Sequence, residues 1–505
     1  MEYLPIFLAA VAGLLITLAA IPFIIRRTAA GTMELHRSFH HTHKQPVSRL
    51  GGVALALAFA LVGLVALLLF PQAGSEARLH WVIYSTALAM FGLGLWDDLK
   101  PLGARKKLLG QVLISGVACA LGLRIGAVSG VFGGSYDLEW LGPVLSVIWL
   151  VALTNLINLI DGIDGLAGGI ALMLMGLLVY VGHSWQLAFP LLCAAGMVGA
   201  LAGFLRFNFP PAKIYMGDGG AYFLGFLIGA LSLINSHKGS VMAALLAPLF
   251  ALALPVLDVT LAILRRGLKG LPLFRADRSH LHHRLLSSGF TRTRAVLVLY
   301  GISVVFLLMA FGVFWSQGRL VPIFFGFACL LLLLAARSFS FSRNWFSVGR
   351  VLGNSLEMRR EIQYALALSH WLELEAQRSG SLETLWREYT FLTGKLGLTQ
   401  VRLRVAGEER LWQRENQPQS EKRLRGEFDL AGDGSTRVSF EADADEMTPQ
   451  LFEHMAELAA EAWVKAATRW RVETGQPVRF TPGLEAARSE PAQTVAVASS
   501  VTTSR

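Results

Sequence analysis

Long apolar runs separated by short polar segments fill the first two thirds of the chain. They lie near 4–25, 50–70, 81–96, 108–125, 141–157, 165–182, 186–205, 220–235, 241–264, 295–315 and 320–336. An α-helix needs roughly 20 such residues to cross a bilayer, so the pattern predicts about eleven transmembrane helices. From about Arg337 charges become frequent and the long runs stop. There, alternation in QVRLRV and TRVSFEA predicts strands near 400–406, 409–414, 422–430 and 436–442, between helices near 356–378, 381–397 and 448–470. Residues 472–505, rich in Ala, Thr, Ser and Pro, read as a disordered tail. The expected fold is a polytopic α-helical membrane protein over 1–336, followed over 337–471 by a GAF-like α/β domain whose ligand or partner the sequence does not name.

Composition and charge sharpen that picture. Only 16% of residues are charged and 54% are hydrophobic, against roughly 25% charged in an ordinary soluble domain. A net charge of +10 would suggest nucleic acid in a soluble chain. No nucleic-acid-reading motif accompanies it here, and the basic residues gather in alternate loops. One set holds Arg26, Arg27, Arg37, Lys44 and Arg49. Others hold Lys100, Arg105, Lys106 and Lys107, then Arg206 and Lys213, then the eight Lys and Arg between Arg265 and Arg294. By the positive-inside rule these loops are cytoplasmic, with the N-terminus outside and the C-terminal domain inside. The first apolar run lacks the basic start of a secretory signal and reads as a retained helix. Cys119, Cys193 and Cys329 lie inside apolar runs and read as small core residues.

The informative residues are polar groups at the cytoplasmic ends of these spans, where burial is costly. HHTHKQPVSRLGG (40–52) offers His40, His41, His43, Lys44 and Arg49 before a glycine pair, which suits a phosphorylated ligand or, alternatively, a positive-inside anchor. GLWDDLKPLGARKKLLGQ (94–111) puts Asp97 and Asp98 at a helix C-terminus, a poor place for negative charge. Mg²⁺ or Lys107 is expected to compensate them. Asn155, Asn158 and Asp161 in NLINLIDGIDGLAGG form one polar stripe at helical spacing. Asp161, Gly162, Asp164 and Gly165 then read as a turn opening the next helix, where phosphate is favoured. Asp218, between glycines in PAKIYMGDGGAYFLG, is a candidate Mg²⁺ ligand, because hard cations take carboxylate oxygens with waters and phosphate. DRSHLHHRLL gathers His280, His282, His283 and Arg284 without the HExxH spacing of a zinc site, and reads as a diphosphate binder.

Together GLWDDLK, NLINLIDGIDGLAGG, PAKIYMGDGGAYFLG and HLHHRLL resemble, in order and spacing, the polyprenyl-phosphate N-acetylhexosamine-1-phosphate transferases, glycosyltransferase family 4. The resemblance covers residues 1 to about 335. It implies attack of a polyprenyl phosphate on a UDP-sugar to release UMP, Mg²⁺ dependence with Mn²⁺ as substitute, and a cytoplasmic active site in a bacterial inner membrane. It implies that Asp218 binds the metal, that Asp97, Asp98, Lys107 and Asp161 serve catalysis, and that Lys44, Asn155, Asn158 and Asp164 face the nucleotide, Asp164 near the uracil. His280, His282, His283 and Arg284 match the diphosphate and sugar segment. The HLHHRLL form points to GlcNAc-1-phosphate for O-antigen or teichoic acid synthesis. The alternatives are phospho-MurNAc-pentapeptide transfer and, more remotely, a transporter. One departure is Gly219-Gly220-Ala221, where many relatives carry Ser or Thr after the MGD triplet. A homodimer is compatible with all of this, and nucleic acid is not an expected partner.

Overall fold

The computed structural model describes residues 3–29, 47–125, 127–129, 135–236, 289–316, 348–405, 407–414, 422–430 and 436–480, with isolated positions between 248 and 327. The chain divides into two compact units, residues 1–35 with 43–354, and residues 36–42 with 355–505.

In the first unit the described helices are α1 (Tyr3–Ala29), α2 (Gly51–Leu69), α3 (Gly74–Leu99), α4 (Ala104–Ala120), α5 (Leu141–Ile160), α6 (Leu166–Ser184), α7 (Ala188–Asn208), α8 (Gly217–Ser236) and α9 (Arg292–Trp315). All except α4 are long and apolar enough to cross a bilayer, eight helices in all. α4 has 17 residues and exposes Leu109, Leu113 and Val117 along its length. The runs near 241–264 and 320–336 lie, apart from isolated positions, outside the described residues. A short antiparallel hairpin, β1 (Ala127–Ser129) with β2 (Ser135–Asp137), joins α4 to α5 and had no counterpart in the hydrophobic pattern. Helix ends follow local chemistry. α3 stops just before Pro101 and α7 just before Pro210, since the residue preceding proline is driven out of the helical region.

α8 lies at the centre, packed on α2, α3, α5, α6 and α7. Of its apolar window 89% is buried, against 22% for α1, so α8 is enclosed by protein while α1 faces outward. Small residues permit the close approach, as is usual between membrane helices. Gly225 lies against Leu153 and Thr154, and Gly229 against Leu150, so α5 and α8 run antiparallel. A methyl group on Gly94 of α3 would stand 2.5 Å from the Asp218 carbonyl oxygen. These crossings bring the C-terminal ends of α3 and α5 to the N-terminal end of α8.

The second unit carries α10 (Val348–Arg378) from residue 355 on, α11 (Leu382–Lys395), β3 (Gln400–Val405), β4 (Glu408–Gln413), β5 (Arg423–Asp429), β6 (Thr436–Asp443) and α12 (Pro449–Thr474). The sheet is antiparallel with order β4-β3-β6-β5. Strict alternation buries Val401, Leu403, Val405, Val438, Phe440 and Ala442 and turns Arg402, Arg404 and Arg437 outward. Across the outward face Glu409, Arg404, Arg437 and Asp429 stand in one row, acids flanking the two arginines. Ser381 and Thr448 cap α11 and α12 by accepting from Thr384 N and Leu451 N, and Gly475, in the left-handed region at φ 68°, ends α12. Trp463, Trp470 and Tyr389 fill the core. Their polar atoms are satisfied where this shows: the Tyr389 hydroxyl donates to Ala459 O at 3.1 Å and Trp470 Nε1 to Ser379 O at 3.0 Å. Trp463→Ala is expected to cost this unit about 3–5 kcal/mol. Hydrogen–deuterium exchange of Thr436–Asp443 in the full chain should rise accordingly, and unchanged protection would refute this packing.

Candidate active site

Three connections meet at one end of the membrane unit: 100–103 after α3, 161–165 after α5, and 209–216 before α8. The last is strapped down on both sides. Tyr215 N donates to Ser48 O at 2.8 Å, while Gly51 N and Gly52 N donate to Tyr215 O and Met216 O, each at 2.9 Å. Asn208, buried at the end of α7, accepts from Gly165 N at 2.9 Å and donates to Ile214 O at 2.8 Å. Asp164 accepts from Ala212 N at 3.1 Å. The Tyr300 hydroxyl of α9 donates to Gly165 O at 2.5 Å. Gly165 itself sits at φ 81°, a conformation that glycine adopts without steric cost.

This strap delivers Asp218 to the first turn of α8, after Gly217 at φ 74°. Asp98 reaches across from α3 and accepts from Asp218 N at 2.9 Å and Gly219 N at 2.8 Å, one carboxylate oxygen on each. It therefore acts as a helix cap supplied by another helix. It satisfies two N–H groups that have no intrahelical partner, at the positive end of the helix dipole. Asp97 points elsewhere, as the 100° offset of adjacent helical residues requires. It accepts from Leu102 N at 2.7 Å and pairs with Lys107.

The Lys107 ammonium also lies 3.1 Å from Asp218 Oδ2 and so bridges the two carboxylates. Asn158 donates to Asp218 Oδ1 at 3.0 Å and the Tyr222 hydroxyl to Oδ2 at 3.3 Å. Two carboxylates thus share the Lys107 ammonium, while the third, Asp98, is held by backbone amides. Asp161 ends α5 beside them. Burial, then the charges of Asp218, Asp98 and Asp164, push its carboxyl well above the usual range, and Arg49 opposes them.

The donor set fits a hard divalent cation. Mg²⁺ is commonly held by one or two carboxylates, with waters and substrate phosphate completing its shell. Asp97 and Asp218 already converge on one cationic centre, the Lys107 Nζ. A closed protein cage is a different matter, for no group of three or more His, Cys, Asp or Glu side chains suited to a metal occurs among the described residues.

Of the residues singled out in the sequence, Asp97, Asp98, Lys107, Asn158, Asp161 and Asp218 come together here. Asn155 is turned aside. Its amide donates to Gln111 Oε1 at 2.7 Å and to Val151 O at 2.8 Å, so the expected stripe splits between α4 and α8. Asp164 braces the strap through the Ala212 amide. Lys44, His280, His282, His283 and Arg284 lie outside the described residues. Asn208, Tyr222, Gln111 and Tyr300 escaped the sequence reading. Tyr222 could have been found from its position one turn after Asp218, and Asn208 from being polar at the end of an apolar span. The glycines after Asp218 also gain a reason: a methyl group on Gly220 would lie 2.8 Å from Gly52 Cα, so α2 leaves no room for a larger side chain there.

Asp98→Ala is expected to release the α8 amides. Hydrogen bonds to a charged group contribute about 1.5–3 kcal/mol each, so exchange at Asp218 and Gly219 should accelerate about tenfold or more, and equal exchange rates would dismiss the cap.

A sequence model described as glycosyl transferase family 4 matches residues 80–236. The chain is 34% identical over 298 residues to the probable undecaprenyl-phosphate N-acetylglucosaminyl 1-phosphate transferase of Bacillus subtilis (strain 168), covering 59% of this chain and 82% of that protein. It is 32% identical over 289 residues to the decaprenyl-phosphate N-acetylglucosaminephosphotransferase of Mycolicibacterium smegmatis, covering 51% and 70%. It is 34% identical over 317 residues to the phospho-N-acetylmuramoyl-pentapeptide-transferase of Moorella thermoacetica, covering 60% and 95%.

Proposed function

The chain belongs to glycosyl transferase family 4, and we propose that it transfers GlcNAc-1-phosphate from UDP-GlcNAc to undecaprenyl phosphate, releasing UMP, as the first membrane step of an envelope polysaccharide. The observation that carries the reading is the convergence of Asp97, Asp98, Asn158, Lys107 and Asp218 where the ends of α3, α5 and α8 meet. The same end carries Arg49, Lys100, Arg105, Lys106, Arg206 and Lys213 in its connections and helix ends. That distribution supports a cytoplasmic site in a bacterial inner membrane, open to soluble UDP-sugars.

The chemistry is one displacement. An oxygen of the lipid phosphate attacks the β-phosphorus of UDP-GlcNAc. The bond from that phosphorus to the bridging oxygen breaks, and UMP leaves with the bridging oxygen. A phosphate monoester has its second pKa near about 6 and is largely a dianion at neutral pH. The nucleophile thus needs no strong base. Asp98 is engaged on two amides and Asp97 on Lys107 and Leu102 N, so both serve position and charge. This arrangement favours direct displacement over an aspartyl-phosphate. Asp218, with Asp97, would hold Mg²⁺, which when bound offsets charge on the diphosphate. Asn158 and Tyr222 orient the Asp218 carboxylate, and Asp164, which braces the strap through the Ala212 amide, would lie on the nucleotide side.

Donor profiling decides the sugar. Purified protein with undecaprenyl phosphate and Mg²⁺ should release UMP from UDP-GlcNAc and not from UDP-MurNAc-pentapeptide, and the reverse preference would assign it to the peptidoglycan branch. Chelation with EDTA should stop turnover, with Mg²⁺ or Mn²⁺ restoring it. Asp218→Asn should lower UMP release by about 10²–10³-fold, and wild-type rates in that variant would remove Asp218 from the metal site.

A further inference from the structure

Lys107 stands where the metal-binding carboxylates converge. Its ammonium pairs with Asp97 and lies 3.1 Å from Asp218 Oδ2. A divalent cation and an ammonium repel each other and cannot share the same two oxygens at such distances. We propose that Lys107 is a place-holding cation, which leaves Asp97 and Asp218 when a divalent cation takes them and then binds the phosphate of the polyprenyl acceptor. The inference rests on the transferase reading above and adds an order of events to it.

Three features of α4 support the exchange. Lys107 lies in the first turn of its helix, where the dipole disfavours positive charge, so its own helix gives it no reason to stay. Its side chain is 28% exposed, on a flexible four-carbon stem that can turn toward solvent. The N-terminus of α4 carries no side-chain cap, which leaves its amides suited to an anion. Lys107 and those amides thus compose a phosphate site only after the ammonium has left the carboxylates.

The apolar side of α4 identifies which phosphate. Leu108, Leu109, Val112 and Leu113 are exposed on the side of α4 opposite Lys107, so the ammonium reaches that side only round the start of the helix, once it has left the carboxylates. A polyprenyl chain lying on that face brings its phosphate to the start of α4, whereas the UDP-sugar arrives from water. Metal and acceptor phosphate then bind with positive coupling, and the coupling is reciprocal.

The test uses the full chain in neutral-lipid nanodiscs. Mn²⁺ binding is titrated by electron paramagnetic resonance without substrates, for the wild type, Lys107→Met, Lys107→Gln and Asp218→Asn. With the competitor removed, both lysine variants should bind Mn²⁺ about fivefold tighter or more. Their KM for undecaprenyl phosphate should rise about tenfold, while the KM for UDP-GlcNAc should stay within about threefold. Asp218→Asn should lose the ion. Equal or weaker Mn²⁺ binding in both lysine variants overturns the proposal, as does a KM shift confined to UDP-GlcNAc or retention of Mn²⁺ by Asp218→Asn. Tighter Mn²⁺ binding also shows that the variant site is folded. Failure of the transferase reading would show separately, as a wild type that binds Mn²⁺ but releases no UMP from any UDP-sugar.

Discussion

The grip of Asp98 on the first amides of α8 is the constraint on which the site depends. One side chain on α3 fixes the start of another helix, and that start carries Asp218. Gly94 of α3 and Gly52 of α2 let the backbones come close enough for the grip to form. Asn208 and the Ser48–Tyr215 contact hold the preceding loop, so Asp218 is approached from three directions. A site assembled this way costs little to reorganise during reaction, because its scaffold consists of rigid helices. It also places acids at a membrane edge, where charge is expensive, and Lys107 offsets part of that cost.

Much of the first unit was legible in the sequence because bilayer spans announce themselves by length and apolarity. Asp97, Asp98, Asn158 and Asp218 stood out as polar groups where lipid would be expected. The limits of that reading are equally physical. A period of 3.6 residues put Asn155, Asn158 and Asp161 on one face, but which neighbour each residue meets depends on where α4 and α8 cross α5. Asn155 meets Gln111 and Asn158 meets Asp218. Asn208 left only the trace of a polar residue closing an apolar span, because its function is to satisfy backbone groups on two separate loops, a role with no sequence period. The run 108–125 read as a whole span, and the structure gives the 17-residue helix α4 (Ala104–Ala120) with its basic turn at the site.

In the second unit, alternation predicted all four strands to within a residue or two, since one face of the sheet is buried and the other is not. Strand order was another matter. β6 lies between β3 and β5, a pairing of distant segments that no local pattern encodes. The acid-flanked row through Arg404 and Arg437 likewise appears only once those strands are side by side.

The central place of α8 bears on how the protein is made. Its apolar window has a mean hydropathy of 1.4, against 2.6 for α1, and its first turn carries a carboxylate. Taken alone it is a weaker candidate for partition into lipid than α1. Among the described residues, the helices that pack most on it, α2, α3, α5, α6 and α7, precede it in the chain. During synthesis from the N-terminus, α8 therefore emerges to a receptacle whose walls are already translated. Its weak apolarity is then sufficient, because the surroundings that receive it are protein.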